Sequence, residues 1–196
     1  MEIYLIRHGC TRGNLEHRYV GSTDESLTEE AVRVIAKSRD SYPHPDIVFS
    51  SPLNRCVETA GLLYPDLGIT VLQELRECSF GEFEYKNYLE LKDDLRYQQW
   101  IDSGGTLPFP GGESREAFID RCAWAFEEGI RAGVQKKCEK MAFVVHGGTV
   151  MAVLDRYSLP HRDYFDWQVK NGCGFAGRLV MEEGQIRITE LRGFPE

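Results

Sequence analysis

The sequence predicts an α/β fold with a mostly parallel central sheet. Two short apolar runs, Glu2–Ile6 and Met141–Val145, have the continuous character of buried parallel strands, and helical patterns lie between them. The first run ends at Arg7-His8-Gly9 and the second at His146-Gly147-Gly148. Because the carboxyl ends of parallel strands meet at one edge of a sheet, we expect His8 and His146 to lie together there. The alternative is that both are ordinary strand ends in solvent.

The composition is that of an acidic globular protein. Its 196 residues are most economically one domain, 1–196. A net charge of −8 argues against nucleic acid or an anionic membrane as partner, because both attract basic surfaces. A small anionic substrate would therefore need a locally positive pocket. Since no apolar stretch is long enough to cross a membrane and no leader pattern precedes the first strand, we expect a cytoplasmic protein. The sequence does not indicate an oligomeric state.

A polar loop at residues 10–26 separates the first strand from the first long helix, and its length is typical of a functional loop. Thr28 is the predicted N-cap of that helix, because Glu29 and Glu30 supply acidic groups in the first turn. Two prolines after Tyr42 end the helix. Asp46–Ser50 is the second predicted strand.

Ser51 and Pro52 predict the start of the next helix, with serine as the N-cap and proline in the first helical position. Arg55 then falls in the first turn, near the end of the second strand. A cation is unusual at the positive end of a helix unless an anion binds there, so Arg55 is a candidate anion-binding residue. A surface arginine is the alternative. A third strand is predicted at Ile69–Leu72.

An acidic loop is predicted at 74–84, and it contains Glu77. The whole chain has thirty-one acidic residues, so composition alone does not mark Glu77 as catalytic. The segment at about 85–113 is predicted as a helical excursion, for which covering a substrate is one function. The longest helix is predicted from Ser114 to about Gly133. Its core-facing stripe is Phe118, Cys122, Phe126 and Ile130. A closing hairpin is predicted from Gly177 to Glu190, turning at Glu183-Gly184.

The six cysteines are expected to be free thiols. They are widely spaced and include no C-x-x-C pair, so zinc or redox work is not indicated. A cysteine phosphatase needs an arginine six residues after its nucleophile, and no cysteine here has one. That mechanism is therefore excluded.

An ordered set of motifs resembles the histidine phosphatase superfamily, with its phosphoglycerate-mutase-like fold. The set extends from residue 3 to residue 154 in the family's order. Its main members are Leu5–Asn14, Tyr19–Gly21, Ser50–Arg55, Leu75–Glu77, Pro110–Glu113 and His146–Gly148. The resemblance implies a three-layer sandwich, in which helices cover both faces of a mostly parallel sheet.

The resemblance also implies the roles of seven residues. His8 would be the nucleophile that forms a phosphohistidine, Glu77 the general acid, and His146 a second catalytic histidine. The residues that would bind the phosphate are Arg7, Asn14, Arg55 and Gly147. The two arginines would also disfavour protonation of His8, which must be neutral to attack. This mechanism requires no cofactor and no metal, and a zinc site of His8, His146 and Glu77 is the alternative.

Within the family, the sequence favours a phosphatase over a mutase. Mutases carry a basic insertion that binds a three-carbon acid, whereas the basic residues here are diluted by Asp93 and Asp94. The 19–24 loop and the 109–114 turn are similar to those of α-ribazole phosphatases, so α-ribazole 5′-phosphate is the predicted example of a small phosphate ester. Nearby aromatic residues could stack on a base, although packing is their commoner role: Tyr19, Tyr85, Tyr88 and Trp100. The alternatives are a cofactor-dependent phosphoglycerate mutase and a non-catalytic phosphoryl-binding domain.

Overall fold

A computed structural model describes residues 1–182 and 184–195 of the chain. Within them, six strands form one sheet that helices flank. The strands are β1 (Glu2–Arg7), β2 (Ile47–Ser50), β3 (Ile69–Val71), β4 (Lys140–Val145), β5 (Gly174–Glu182) and β6 (Gln185–Phe194). The α-helices are α1 (Arg12–Leu15), α2 (Glu29–Ser38), α3 (Asn54–Leu63), α4 (Tyr88–Leu91), α5 (Leu95–Asp102), α6 (Arg115–Gln135) and α7 (Gly147–Tyr157).

The strand order places the two histidine-terminated strands side by side. The order is β3-β2-β4-β1-β5-β6, in which the first four strands are parallel and the last two are antiparallel to their neighbours. Arg7 of β1 is paired with Val145 of β4. His8 and His146, which come next, therefore leave the sheet at the same edge, and the predicted juxtaposition is confirmed.

Two hydrophobic clusters, one on each face of the sheet, make the fold a three-layer sandwich. Alternate β1 residues Leu5 and Ile6 belong to different clusters, as the period of a strand requires. The cluster of Leu5 includes residues of α6 and α7, and that of Ile6 includes residues of α2 and α3. Because both faces of the sheet are covered by helices, the central strands are apolar at almost every position.

Local sequence signals place most helix ends. Thr28 Oγ1 accepts a hydrogen bond from Ala31 N at 3.1 Å, so this predicted N-cap is confirmed. The longest helix begins as predicted, next to Ser114, whose Oγ accepts a hydrogen bond from Ala117 N at 3.2 Å. The predicted start of α3 is wrong by two residues. Its N-cap position is Leu53, which makes no side-chain cap bond. Ser51 instead bonds a histidine across the sheet edge, as described below.

The remaining segments agree with the predicted pattern at coarse scale. The helical excursion contains α4 and α5, and the predicted stripe on α6 is buried. The closing hairpin is longer than predicted, from Gly174 to Phe194. Of its predicted turn, Gly184 has a φ of +78°, while Glu183 lies outside the described residues.

All six cysteines are free thiols. Among residues 1–182 and 184–195, no helix is both long and apolar enough to cross a membrane.

Candidate active site

His8 is held with one ring nitrogen free for chemistry. The residue is buried, with 4% of its surface exposed. Its Nδ1 lies 2.6 Å from the carbonyl oxygen of Gly9. Because a carbonyl only accepts, Nδ1 carries the proton and donates, which leaves the lone pair on Nε2. The backbone is fixed as well, since Gly9 N donates to Thr59 Oγ1 at 2.9 Å.

His146 is fully buried beside His8, and the centroids of the two rings lie 5.3 Å apart. Arg55 Nε donates to His146 Nδ1 at 3.3 Å, so the proton of the neutral ring is on Nε2. That nitrogen lies 2.7 Å from Ser51 Oγ, to which it donates. Both nitrogens of His146 are therefore bonded to protein groups.

Arg55 is fully buried and anchored to the loop at residues 20–23. Its Nη1 donates to Thr23 O at 2.7 Å, and its Nη2 donates to Gly21 O at 2.9 Å and to Val20 O at 3.3 Å. With the bond to His146, these contacts use four of the five N–H groups. Arg55 thus lies at the predicted site, where its charge is solvated mainly by backbone carbonyls.

Arg7 keeps more of its hydrogen-bonding capacity. Its Nη1 donates to Val169 O at 2.7 Å, and its Nε is buried without a hydrogen-bond partner in the described part of the chain. Gly147 lies against the guanidinium, because a Cβ on this glycine would be 3.3 Å from Arg7 Nε. Gly147 therefore lets Arg7 lie close to the start of α7.

Asn14 faces the same cavity as Arg7. Its Oδ1 accepts hydrogen bonds from Thr11 N at 3.1 Å and from Asn171 Nδ2 at 2.9 Å, which orients the amide and leaves its Nδ2 as a donor. The cavity that Arg7, Asn14, Glu77 and Gly147 help to line is open and has a volume of about 920 Å³. We call it the phosphate cavity.

The Glu77 carboxylate lies at the N-terminus of α7. Its Oε1 accepts from Cys78 N at 2.9 Å, and its Oε2 accepts from Gly148 N at 3.2 Å. Gly148 is required for this approach, since a Cβ there would overlap Oε1 and lie 3.2 Å from Glu77 Cδ. Burial raises the pKa of Glu77, and the backbone bonds and the charge of Arg55 offset only part of that rise.

The electrostatics keep both histidines neutral. Burial lowers the pKa of His8 well below its usual value, and the charges of Arg55 and Arg7 lower it further. The same causes, with burial again first, lower the pKa of His146. Neither arginine lies within 4 Å of a carboxylate oxygen in the described ranges. Two cations without an acidic partner at one edge favour an anionic ligand.

The structure brings all seven predicted site residues to one sheet edge and adds contacts that the sequence analysis missed. Ser51 was assigned to a helix cap, and its bond to His146 has no sequence signal. Asn171 donates to His8 O at 3.2 Å and orients Asn14, although nothing in its local sequence distinguishes it. In the described ranges, no group of three or more His, Cys, Asp and Glu residues could hold a metal ion.

The fold and the site define an α/β protein whose sheet edge joins two neutral histidines, two arginines and a protonatable carboxyl. The chain belongs to the histidine phosphatase superfamily (branch 1), whose family model matches residues 3–192. The predictions of this family and of a phosphatase enzyme are thereby confirmed.

Several known proteins resemble the chain over nearly its whole length. The adenosylcobalamin/alpha-ribazole phosphatase of Escherichia coli K12 is 26% identical over 98% of this chain and 97% of its own. The phosphoglycerate mutase of Thermus thermophilus has a solved structure with a TM-score of 0.72 and 31% identity, covering 96% of each chain. The alpha-ribazole phosphatase of Shigella flexneri, at 23% identity, shares the fold with a TM-score of 0.80 over 96% of this chain and 94% of that one.

Proposed function

We propose that the chain is a phosphomonoesterase that hydrolyses a small phosphate ester through a phosphohistidine on His8. The observation that carries the proposal is the 2.6 Å bond from His8 Nδ1 to Gly9 O, which leaves the lone pair on Nε2 of a buried, neutral imidazole. A nucleophilic imidazole needs this tautomer and this charge state.

The reaction has two displacements. His8 Nε2 attacks phosphorus while the ester P–O bond breaks, and the leaving oxygen takes its electron pair together with a proton from Glu77. The Glu77 carboxylate then takes a proton from water, whose oxygen attacks phosphorus as the P–N bond breaks and releases inorganic phosphate. The raised pKa of Glu77 supports the acid role, because a carboxyl must hold its proton near neutral pH to donate it.

Arg7 and Asn14 hold the phosphoryl oxygens in this proposal. Both residues line the phosphate cavity, and a guanidinium group matches phosphate oxygens well. Arg55 supplies positive charge to the site, and its bond to Nδ1 together with burial keeps His146 neutral. His146 donates to the transferring group only after its Nε2 proton turns from Ser51, so the ring must shift when phosphate binds.

We propose α-ribazole 5′-phosphate as the first substrate to test. The support is the name of the E. coli relative, which matches this chain almost end to end. We also propose that residues 85–113 form a cover within the single domain, because Trp100, Gly105 and Phe109 from this segment line a cavity next to Glu77.

Rapid-quench labelling with a ³²P-monoester tests the mechanism. We expect an acid-labile phosphoenzyme in the wild type and none in His8→Ala, while His161→Ala, altered at an exposed histidine, labels normally. Equal labelling of wild type and His8→Ala would contradict the mechanism, and so would its absence from both. A parallel assay with 3-phosphoglycerate and bisphosphoglycerate separates the mutase alternative, since a mutase relocates the phosphoryl group and releases little free phosphate.

A further inference from the structure

An aromatic-walled cavity of about 200 Å³ adjoins the phosphate cavity at Glu77. We call it the aromatic pocket. Four residues line both cavities: Tyr19, Glu77, Gly148 and Met151. The other aromatic walls of the pocket are Phe80, Trp100, Phe109, Tyr164 and Phe165. The two cavities are therefore neighbours, and the candidate general acid lines both of them.

The walls of the aromatic pocket form a packed and mostly apolar surface. Trp100 and Phe109 have ring centroids 5.0 Å apart, and Tyr19 lies edge-on to Trp100 at 6.2 Å. The hydroxyl of Tyr19 is already bonded to that of Tyr97 at 2.8 Å. An incoming group thus meets ring faces and edges, which attract another aromatic ring through complementary quadrupoles.

Arg115 is the one cation among the described residues that line the aromatic pocket, and two of its five N–H groups donate to backbone carbonyls. Its Nε donates to Gly105 O at 3.1 Å and its Nη2 to Gly104 O at 2.7 Å. Its guanidinium carbon lies 5.1 Å from the ring centroid of Phe165. The arginine therefore fixes the glycine loop over the aromatic wall.

We infer that the aromatic pocket is the leaving-group subsite and that it selects phosphate esters of alcohols bearing an aromatic ring. The inference rests on the proposed function, because Glu77 protonates the leaving oxygen and the carbon skeleton beyond that oxygen must then lie on the Glu77 side of the phosphate. An apolar cavity of about 150 Å³ is large enough to hold benzene, so this one takes a substituted ring or a small fused pair. Of the four aromatic residues that the sequence suggested for stacking, Tyr19 and Trp100 line the pocket, and Tyr85 and Tyr88 do not.

Two esters of primary alcohols test the inference, because their leaving groups have similar basicity and differ by one ring. We expect kcat/KM for 2-phenylethyl phosphate to exceed that for ethyl phosphate by about 10- to 100-fold, the range for burying one such apolar group. Phe165→Ala removes a wall residue that is 44% exposed, so the fold should tolerate it. In this variant we expect the ratio of the two kcat/KM values to fall by about 3- to 10-fold. Trp124→Ala, at a 55% exposed aromatic on α6, is the matched control and should keep the wild-type ratio.

Saturation-transfer NMR with 2-phenylethanol gives a readout that does not need catalysis. We expect transfer to the ring protons in the wild type and a weaker signal in Phe165→Ala. Equal kcat/KM for the two esters in an active enzyme would overturn the aromatic pocket and leave the phosphatase proposal intact. If neither ester is hydrolysed, the proposed function fails, and binding of 2-phenylethanol then tests the aromatic pocket independently. Absence of saturation transfer to the alcohol would overturn the pocket, whereas transfer that is weaker in Phe165→Ala would support it.

Discussion

Replacement of Gly148 by alanine tests how the carboxyl of Glu77 is positioned. A Cβ at this position overlaps Glu77 Oε1 and lies 3.1 Å from Phe118 Cε1. Gly148 is in the first turn of α7 and its φ is not positive, so alanine suits the backbone, and helix propensity favours it by about 1 kcal/mol. The perturbation therefore acts on the carboxyl group and spares the helix.

The expected size of the effect follows from the displacement. To reach ordinary van der Waals contact the carboxyl must withdraw by about 1 Å, which also breaks its 3.2 Å bond from Gly148 N. A misplacement of about 1 Å costs roughly 100-fold in rate, and general acid catalysis is worth about 100- to 10,000-fold. We expect Gly148→Ala to lower kcat/KM for an alkyl phosphate by about 10- to 100-fold, and Glu77→Gln to lower it at least as much.

The assay compares leaving groups that differ in their need for a proton. An alkoxide requires protonation, whereas p-nitrophenolate leaves without it, so Gly148→Ala should lower kcat/KM for p-nitrophenyl phosphate by less than about 5-fold. The comparison uses kcat/KM because this constant reports phosphoryl transfer to His8 and excludes the later hydrolysis, in which Glu77 is proposed to act as the base. Gly61→Ala, where a Cβ meets nothing within 4 Å, is the matched control and should match the wild type with both substrates. Equal losses for both leaving groups would refute the positioning argument, because they would place the damage in phosphate binding or in the nucleophile.

Three further predictions concern the supports of the site. Ser51→Ala removes the acceptor of the His146 Nε2 proton, so it should lower the free energy of unfolding by about 1–3 kcal/mol in urea titrations. The control Ser41→Ala, at an exposed site, should leave the free energy of unfolding unchanged. Arg121 donates to the carbonyls of Glu74 and Arg76 and pairs with Glu113. Arg121→Met should therefore lower the free energy of unfolding by about 3 kcal/mol in the same titration, and it should lower alkyl phosphate hydrolysis more than p-nitrophenyl phosphate hydrolysis. An unchanged ratio of the two hydrolysis rates would show that Arg121 does not position Glu77. Because the pKa of His146 is lowered in the folded chain, the unfolded chain binds a proton at this residue below about pH 6.5 and the folded chain does not. The stability attributable to this group is therefore present above about pH 6.5 and is lost as pH falls below that value. His146→Gln should therefore show a shallower loss of unfolding free energy than the wild type between pH 6.5 and 5, and equal slopes would contradict the buried neutral state.

Much of the fold was predictable because its signals are local. Apolar runs ending in histidine define β1 and β4, and Thr28 and Ser114 mark helix starts through bonds to a backbone N–H three residues away. The site residues required the family resemblance, since nothing local separates Glu77 from the other acidic residues. Ser51 and Asn171 were missed because their partners are far along the chain. Ser51 shows the conflict directly, because its bond to His146 prevails over the local preference for a helix cap.

The solvation of Arg55 helps to explain how an acidic protein keeps two buried histidines neutral. A buried arginine paired with a carboxylate would have little net effect on neighbouring pKa values. Arg55 is instead solvated by the carbonyls of Val20, Gly21 and Thr23, which stabilise its charge without cancelling it. Burial is the main cause of the lowered pKa of His8 and of His146, and the remaining positive field lowers both further. The same field attracts the phosphate that His8 is proposed to attack. The loop at residues 20–23 therefore contributes to the chemistry through its backbone, which explains why its side chains alone gave no indication of that role.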